Sequence, residues 1–155
     1  MSNQWQARRG TTAQNDAFTG ASGEITYDTE SQGLRVHDGT KQGGYLIDTV
    51  VDFQKPTAEN NYTWYRLYAS GFVEQGGIAT GTNGTITFPI TMAGSDYQIM
   101  ANVKNTSITG SNTVFSFLTN DLTTTSFGFK KTFNYGSASG VAGEDYFWQV
   151  SGMAA

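Results

Sequence analysis

The stretch Trp64–Gly77, WYRLYASGFVEQGG, limits the fold more than any other part of the chain. Trp64 to Tyr68 reads as a strand, Ala69-Ser70-Gly71 as a turn, and Phe72 to Gln75 as a return strand running into a glycine pair. Two such runs joined by a short glycine-containing loop make a hairpin. Side chains alternate across a strand, so Trp64, Arg66 and Tyr68 share one face and Tyr65 and Leu67 the other. Both faces carry large apolar groups. Such a strand needs cover on both sides, from its own domain or from another subunit. Trp64, Tyr65, Arg66 and Tyr68 are therefore candidates for a core or a subunit contact.

Composition points to the same class. Charged and aromatic residues each make up 14% of the 155 residues, with 19 glycines and only 2 prolines. Abundant aromatics, threonine, serine and glycine with so little charge describe a β-rich, turn-rich chain, neither helical nor disordered. The net charge of −4 comes with scattered lysines and arginines, so no basic stripe exists to meet phosphates and no nucleic-acid partner is expected. Without cysteine there is neither a disulfide nor a thiolate metal site. The opening residues MSNQWQARRG hold no apolar run of the secretory type. No segment approaches the roughly 18 apolar residues of a spanning helix, so membrane insertion is not expected.

In chain order, residues 1–20 are polar, with one helical turn expected near Thr12–Ala17. Arg8 and Arg9 are expected to pair with carboxylates such as Asp16 or Glu24, or to face water. Glu24–Asp28 and Leu34–His37 read as strands joined by the turn Glu30-Ser31-Gln32-Gly33, and Asp38-Gly39 is a further turn signal. Tyr45-Leu46-Ile47 begins another strand, and Val50, Val51 and Phe53 are extended before Lys55-Pro56 breaks the pattern. This divides the chain into residues 1–52, a linker 53–61, and a second domain 62–155. The first part has few large apolar side chains and no cross-link, so association with copies of itself is the economical route to a core.

In the second part, GGIATGTNG reads as flexible. Thr85–Ile90 alternates, with Pro89 marking a strand end or an edge. Tyr97–Lys104 gives the best period-2 signal, with Tyr97, Ile99, Ala101 and Val103 on one face. Val114–Leu118, Ser126–Lys130 and Tyr146–Gly152 are further strands, and Phe133–Glu144 reads as a long glycine- and serine-rich loop. Strands at this spacing, separated by polar turns, specify an antiparallel β-sandwich. Trp64, Phe88, Tyr97, Phe127 and Trp148 are its expected core.

Two resemblances bear on function. The pattern W-Y-R-x-Y-x-x-G-x-x-E-Q-G-G resembles the opening of the C-terminal tip domain of bacteriophage tail-fibre proteins. FPITMAGSDYQIMANV, SFGFK and YFWQVSG sit where that family has its later features. Arg8-Arg9-Gly10-Thr11, Phe18-Thr19-Gly20, Gly23-Glu24-Ile25, His37-Asp38-Gly39-Thr40 and Gly43-Gly44 are similar to the N-terminal domain of the major tropism determinant family. These phage receptor-binding proteins are trimeric. The resemblances imply an intertwined homotrimer with a small N-terminal β-prism-like head on the virion side and a sandwich at the tip. They also imply contacts with other virion tail or baseplate proteins through the head, and with a host surface glycan or outer-membrane protein at the tip. The chain would be made in the host bacterial cytoplasm and carried in the virion. The rival is a structural decoration or connector trimer without a receptor.

Catalytic chemistry is not legible. His37 is the single histidine, and Asp38 beside it points to the opposite face of a strand, so the two do not form a base and its orienter. One imidazole without thiols makes no metal centre, and no cofactor is expected. Glu144-Asp145 lacks the facing geometry of glycosidase carboxylates. A depolymerase would also need a long β-helix, for which the chain is too short. Three polar stretches are candidates for receptor contact: Lys104–Asn112 with Thr109 and Asn112, Asn120–Thr125 with Asn120 and Asp121, and Phe133–Asp145 with Phe133, Asn134 and Tyr135. The last mixes aromatics with small polar residues, as adaptable recognition surfaces do. The competing reading is that Phe133 and Tyr135 finish the preceding strand.

Overall fold

The computed structural model describes residues 6–104, 113–135, 138–141 and 145–155. Among these the chain is nearly all β, as expected, with one short α-helix. It separates into two compact units, Met1–Asp52 with Leu67–Gly71, and Phe53–Arg66 with Phe72–Ala155.

The first unit is built on a four-stranded sheet of β1 (Arg8–Gly10), β2 (Ile25–Asp28), β3 (Leu34–Val36) and β4 (Tyr45–Ile47), in that order. β1 and β2 run parallel, and the other pairs are antiparallel. A parallel pair needs a crossover, and α1 (Thr12–Ala17) lies on it. Thr11 and Gln14 explain why the helix starts there. The Gln14 N–H donates to the Thr11 hydroxyl, and the Gln14 side chain accepts from the Thr11 N–H, a reciprocal cap.

What this unit buries is unusual. Among the described residues its buried side chains are Asn15, Thr26, Asp28 and His37, with Ala69 as the one buried hydrophobic. Polar groups survive burial only when they are paired, and here they are. Asn15 donates to the carbonyls of Gly10 and Thr11 at 3.0 Å. The Gly20 N–H donates to His37 Nδ1 at 3.2 Å, so the ring proton sits on Nε2, 3.1 Å from the Thr26 hydroxyl. Asp28 accepts from the Thr12 hydroxyl, the N–H groups of Glu30 and Ser31, and Arg35. Arg35 also reaches Asp16 and the Gly43 carbonyl. Arg8 pairs with Glu24 at 3.1 Å, one of the partners expected for it. The turn at the hairpin tip is held within this unit. Ser70 donates its N–H and its hydroxyl to the Asp48 carboxylate at 2.9 and 2.8 Å.

The remaining strands form two sheets. One has five strands: β5 (Val50–Gln54), β6 (Trp64–Tyr68), β7 (Phe72–Ala79), β13 (Asp145–Met153) and β9 (Gln98–Lys104), in that order. In the other, β11 (Ser126–Tyr135) is the spine. β10 (Thr113–Asn120) pairs with it, as do β8 (Asn83–Thr87) and β12 (Ala138–Val141) along successive stretches.

In the second unit these sheets meet face to face, making the expected sandwich. Phe127 of one sheet meets Trp148 of the other edge-on, with centroids 5.9 Å apart. Phe88 sits edge-on to Tyr97 at 5.1 Å and against Phe127 at 5.8 Å. Phe117 stacks on Phe129 and touches Tyr146 across the sheets at 5.3 Å. Phe88, Tyr97, Phe127 and Trp148 are buried, as expected, while Trp64 is only partly so. Along β9 exposure alternates as expected, with Ile99, Ala101 and Val103 turned inward. Among the described residues here, the polar side chains of Gln75 and Lys131 are fully buried. Gln75 bonds both backbone groups of Ile90, and the Lys131 ammonium donates to the Ala79 carbonyl at 3.0 Å.

Two expectations fail. The glycine-rich GGIATGTNG is no flexible connection, because β7 continues to Ala79 and β8 begins at Asn83. A Cβ on Gly76 would lie 2.6 Å from the Trp148 carbonyl oxygen and 2.8 Å from Trp64 Nε1. The glycine is there for close approach, not freedom. Nor is Phe133–Glu144 a single long loop, since β11 runs through Tyr135 and β12 pairs back onto it.

Candidate functional site

The residues singled out for receptor contact do not converge. Thr109 and Asn112 lie outside the described residues. Asn120 ends β10, exposed, opposite Gly128, and its amide occupies the space a Cβ on Gly128 would need. Asp121 follows with a left-handed backbone, φ 48°. At the other end of the same ladder Phe133 pairs with Phe115 and Gly140, its ring covering Gly140. Asn134 is exposed beside it, and Tyr135 is the last residue of β11. Five to seven residue steps along a strand, at about 3.3 Å each, put these two groups roughly 17–23 Å apart. They are two ends of one hairpin, not one site, and Phe133 and Tyr135 do finish a strand.

A concave site lies elsewhere, and the sequence reading did not single it out as one. Phe53, Gln54, Lys55, Pro56, Trp64, Tyr65 and Arg66 line a cleft of about 450 Å³. All of them belong to the second unit. Phe53 is 58% exposed, and Lys55 and Arg66 are exposed. The Gln54 amide donates to the Thr63 carbonyl at 2.9 Å and fixes one wall. The Trp64 indole abuts Gly76. The signal available in the sequence is the strand Trp64–Arg66 preceded by Phe53-Gln54-Lys55-Pro56, in a run whose composition reads as a linker.

The outward face of the five-stranded sheet is the second feature. The face of an antiparallel sheet turned to water is ordinarily polar. Here Met153 lies opposite Phe72, and Phe147 opposite Ile78 and Asn102. Met100, Phe147 and Met153 are each at least half exposed, and Phe72 is 36% exposed.

The electrostatics of the first unit are structural in character. Burial alone would raise the Asp28 pKa. The hydrogen bonds from Ser31, Thr12, Glu30 and Arg35 together outweigh it and hold the carboxyl below its ordinary value. Asp38 is held well below the carboxylate range by the N–H groups of Lys41 and Thr40, aided by the hydroxyls of Thr40 and Tyr45. It organises an exposed turn. Among the described residues no group of three or more histidine or acidic side chains is placed to hold a metal. No helix among them is long and apolar enough to cross a membrane.

Residues 6–41 match the family described as the major tropism determinant N-terminal domain. A protein described as "Tail fiber receptor-binding protein", from Bordetella phage BPP-1, is 38% identical over 112 residues, covering 64% of this chain and 29% of that protein. The chain thus spans under a third of that relative's length. The solved P3c variant of the major tropism determinant is 34% identical over 40% of this chain and 19% of its own, with a TM-score of 0.26. The R2 pyocin fibre of P. aeruginosa is 17% identical over 97% of this chain and 37% of its own, with a TM-score of 0.49. The resemblance to phage tail-fibre proteins seen in the sequence is borne out by the family match and the Bordetella phage relative.

Proposed function

We propose that this chain is a phage tail-fibre protein that binds a receptor on the surface of its host cell. Its first unit joins other tail or baseplate proteins of the virion, and its second unit meets a surface glycan or outer-membrane protein. The observation that carries this reading is the 38% identity, over 112 residues, to a tail-fibre receptor-binding protein. The match to the N-terminal family over residues 6–41 supports the virion-side role of the first unit. The function is adhesion and not catalysis.

The protein works as a parallel homotrimer. Two features support this. Among the described residues the first unit buries mostly hydrogen-bonded polar groups, and a small unit of that kind gains stability by association. The second presents Phe72, Met100, Phe147 and Met153 on one outward sheet face, interspersed with Glu74, Gln149 and Ser151, and large exposed apolar groups of this kind favour a partner surface.

Fluorescently labelled protein, incubated with a panel of bacterial strains and counted by flow cytometry, tests the reading. Strong binding to a subset of strains is the expected result. Binding to none of a broad panel, or equal binding to all, would leave the connector role instead.

A further inference from the structure

We infer that the cleft between Phe53–Pro56 and Trp64–Arg66 is a binding site for an acidic saccharide. This rests on the receptor-binding reading and narrows it to a location and a ligand chemistry. The volume of about 450 Å³ falls in the range of small-molecule sites. Three of its seven lining residues, Phe53, Trp64 and Tyr65, are aromatic. The negative face of such a ring attracts the weakly positive C–H edges that a sugar ring presents, so aromatic walls suit a saccharide.

The cations add the anionic requirement. Among the described residues Arg8 is held by Glu24, and Arg35 by Asp16 and Asp28. Arg9, Lys41, Lys55, Arg66, Lys104 and Lys130 take part in none of these ion pairs, and of them Lys55 and Arg66 line this cleft together. Asp52 and Glu59 are near in sequence but do not line it. In a chain of net charge −4, two uncompensated cations beside aromatic walls complement a carboxylate or phosphate carried on a sugar.

The alternative occupant is a second copy of this chain, because Trp64, Tyr65 and Arg66 also suit a subunit contact. The cleft lies at the β5 edge of the sheet. Of the exposed apolar residues, Met100, Phe147 and Met153 lie on β9 and β13, away from it, and Phe72 lies on β7, one strand from Trp64–Arg66. The larger part of the apolar surface is thus separate from the cleft, and that part is where a copy docks.

The test titrates the full chain with tetragalacturonate, maltotetraose and an acidic tetrapeptide, by calorimetry and tryptophan fluorescence. The variants are Arg66→Gln with Lys55→Gln, and Trp64→Ala. Circular dichroism and light-scattering mass verify fold and assembly in each. Tetragalacturonate is expected to bind and to quench fluorescence. Maltotetraose and the peptide should bind at least about tenfold more weakly, and the double glutamine variant should lose about tenfold in affinity. The inference is overturned if tetragalacturonate fails to bind at millimolar concentration, or if the neutral sugar or the peptide binds as well. It is also overturned if the double variant binds as wild type does, or changes its mass, which would mark a subunit contact. Cell binding is measured in parallel. Wild-type adhesion by the double variant would overturn this inference and leave the receptor-binding reading intact. Cleft binding without any cell adhesion would contradict that reading alone.

Discussion

Trp148 and Phe147 are neighbours on β13 that point to opposite faces, and their truncation tests the sandwich at the level of single residues. Trp148 is 4% exposed, with Phe127 edge-on at 5.9 Å and Phe88 at 6.3 Å. Removing a large aromatic from such a site costs about 3–5 kcal/mol, lost burial and cavity together. Phe147 is 50% exposed on the outer face. Half of the same range, about 1.5–2.5 kcal/mol, is its expected cost. Urea unfolding followed by far-ultraviolet circular dichroism reads both. With a slope of about 2 kcal/mol per molar urea, Trp148→Ala lowers the midpoint by about 1.5–2.5 M and Phe147→Ala by roughly half that, with slopes unchanged. A second protein concentration separates folding from association. If copies cover the outer face, the cost of Phe147→Ala grows with concentration while that of Trp148→Ala does so less. Equal costs at every concentration would exclude this assignment of inner and outer faces, because a one-residue slip in register exchanges them.

Gly76→Ala should cost about 1–3 kcal/mol, since its Cβ meets the Trp148 carbonyl and the Trp64 indole. Gly94→Ala, with nothing within 4 Å, should stay within about 0.5 kcal/mol in the same urea assay. Asp28 has a folded pKa below its unfolded one, so its contribution to stability is whole above the ordinary carboxylate value of about 4 and is lost as pH falls through the lower folded value. Asp28→Asn should flatten that acid limb in thermal melts recorded from neutral to acid pH; an unchanged limb would assign it to other groups. Light scattering at low micromolar concentration should give about three times the 16.8 kDa monomer mass; a clean monomer would sink the trimer.

Much of the architecture could be read from alternation. Strand Trp64–Tyr68, the inward set Ile99, Ala101 and Val103, and the helical turn at Thr12–Ala17 all stand where the pattern put them. In these stretches local preference and burial agree. Glycine misled twice, at Gly76-Gly77 and in the run after Tyr135. A glycine needed for freedom and one needed for close approach look alike until the neighbouring indole is placed. The parallel pairing of β1 with β2 depends on partners far apart in sequence, which periodicity does not encode. Lys131 could not be foreseen as fully buried, because the Ala79 carbonyl that accepts its proton lies 52 residues away. The cleft shared this difficulty. Phe53 and Lys55 face Trp64 and Arg66 only after the chain turns through Ala58–Asn60, and sequence alone marked that segment as a linker.

Selective recognition of a host surface is measured by equilibrium competition on whole cells. Labelled protein is titrated onto a strain that binds it, with and without a large excess of unlabelled protein, beside a strain that does not. Saturable uptake is expected on the first strain, displaced by the unlabelled protein, with background on the second. Uptake that rises linearly without saturation, resists competition, and is equal on both strains would contradict selective recognition.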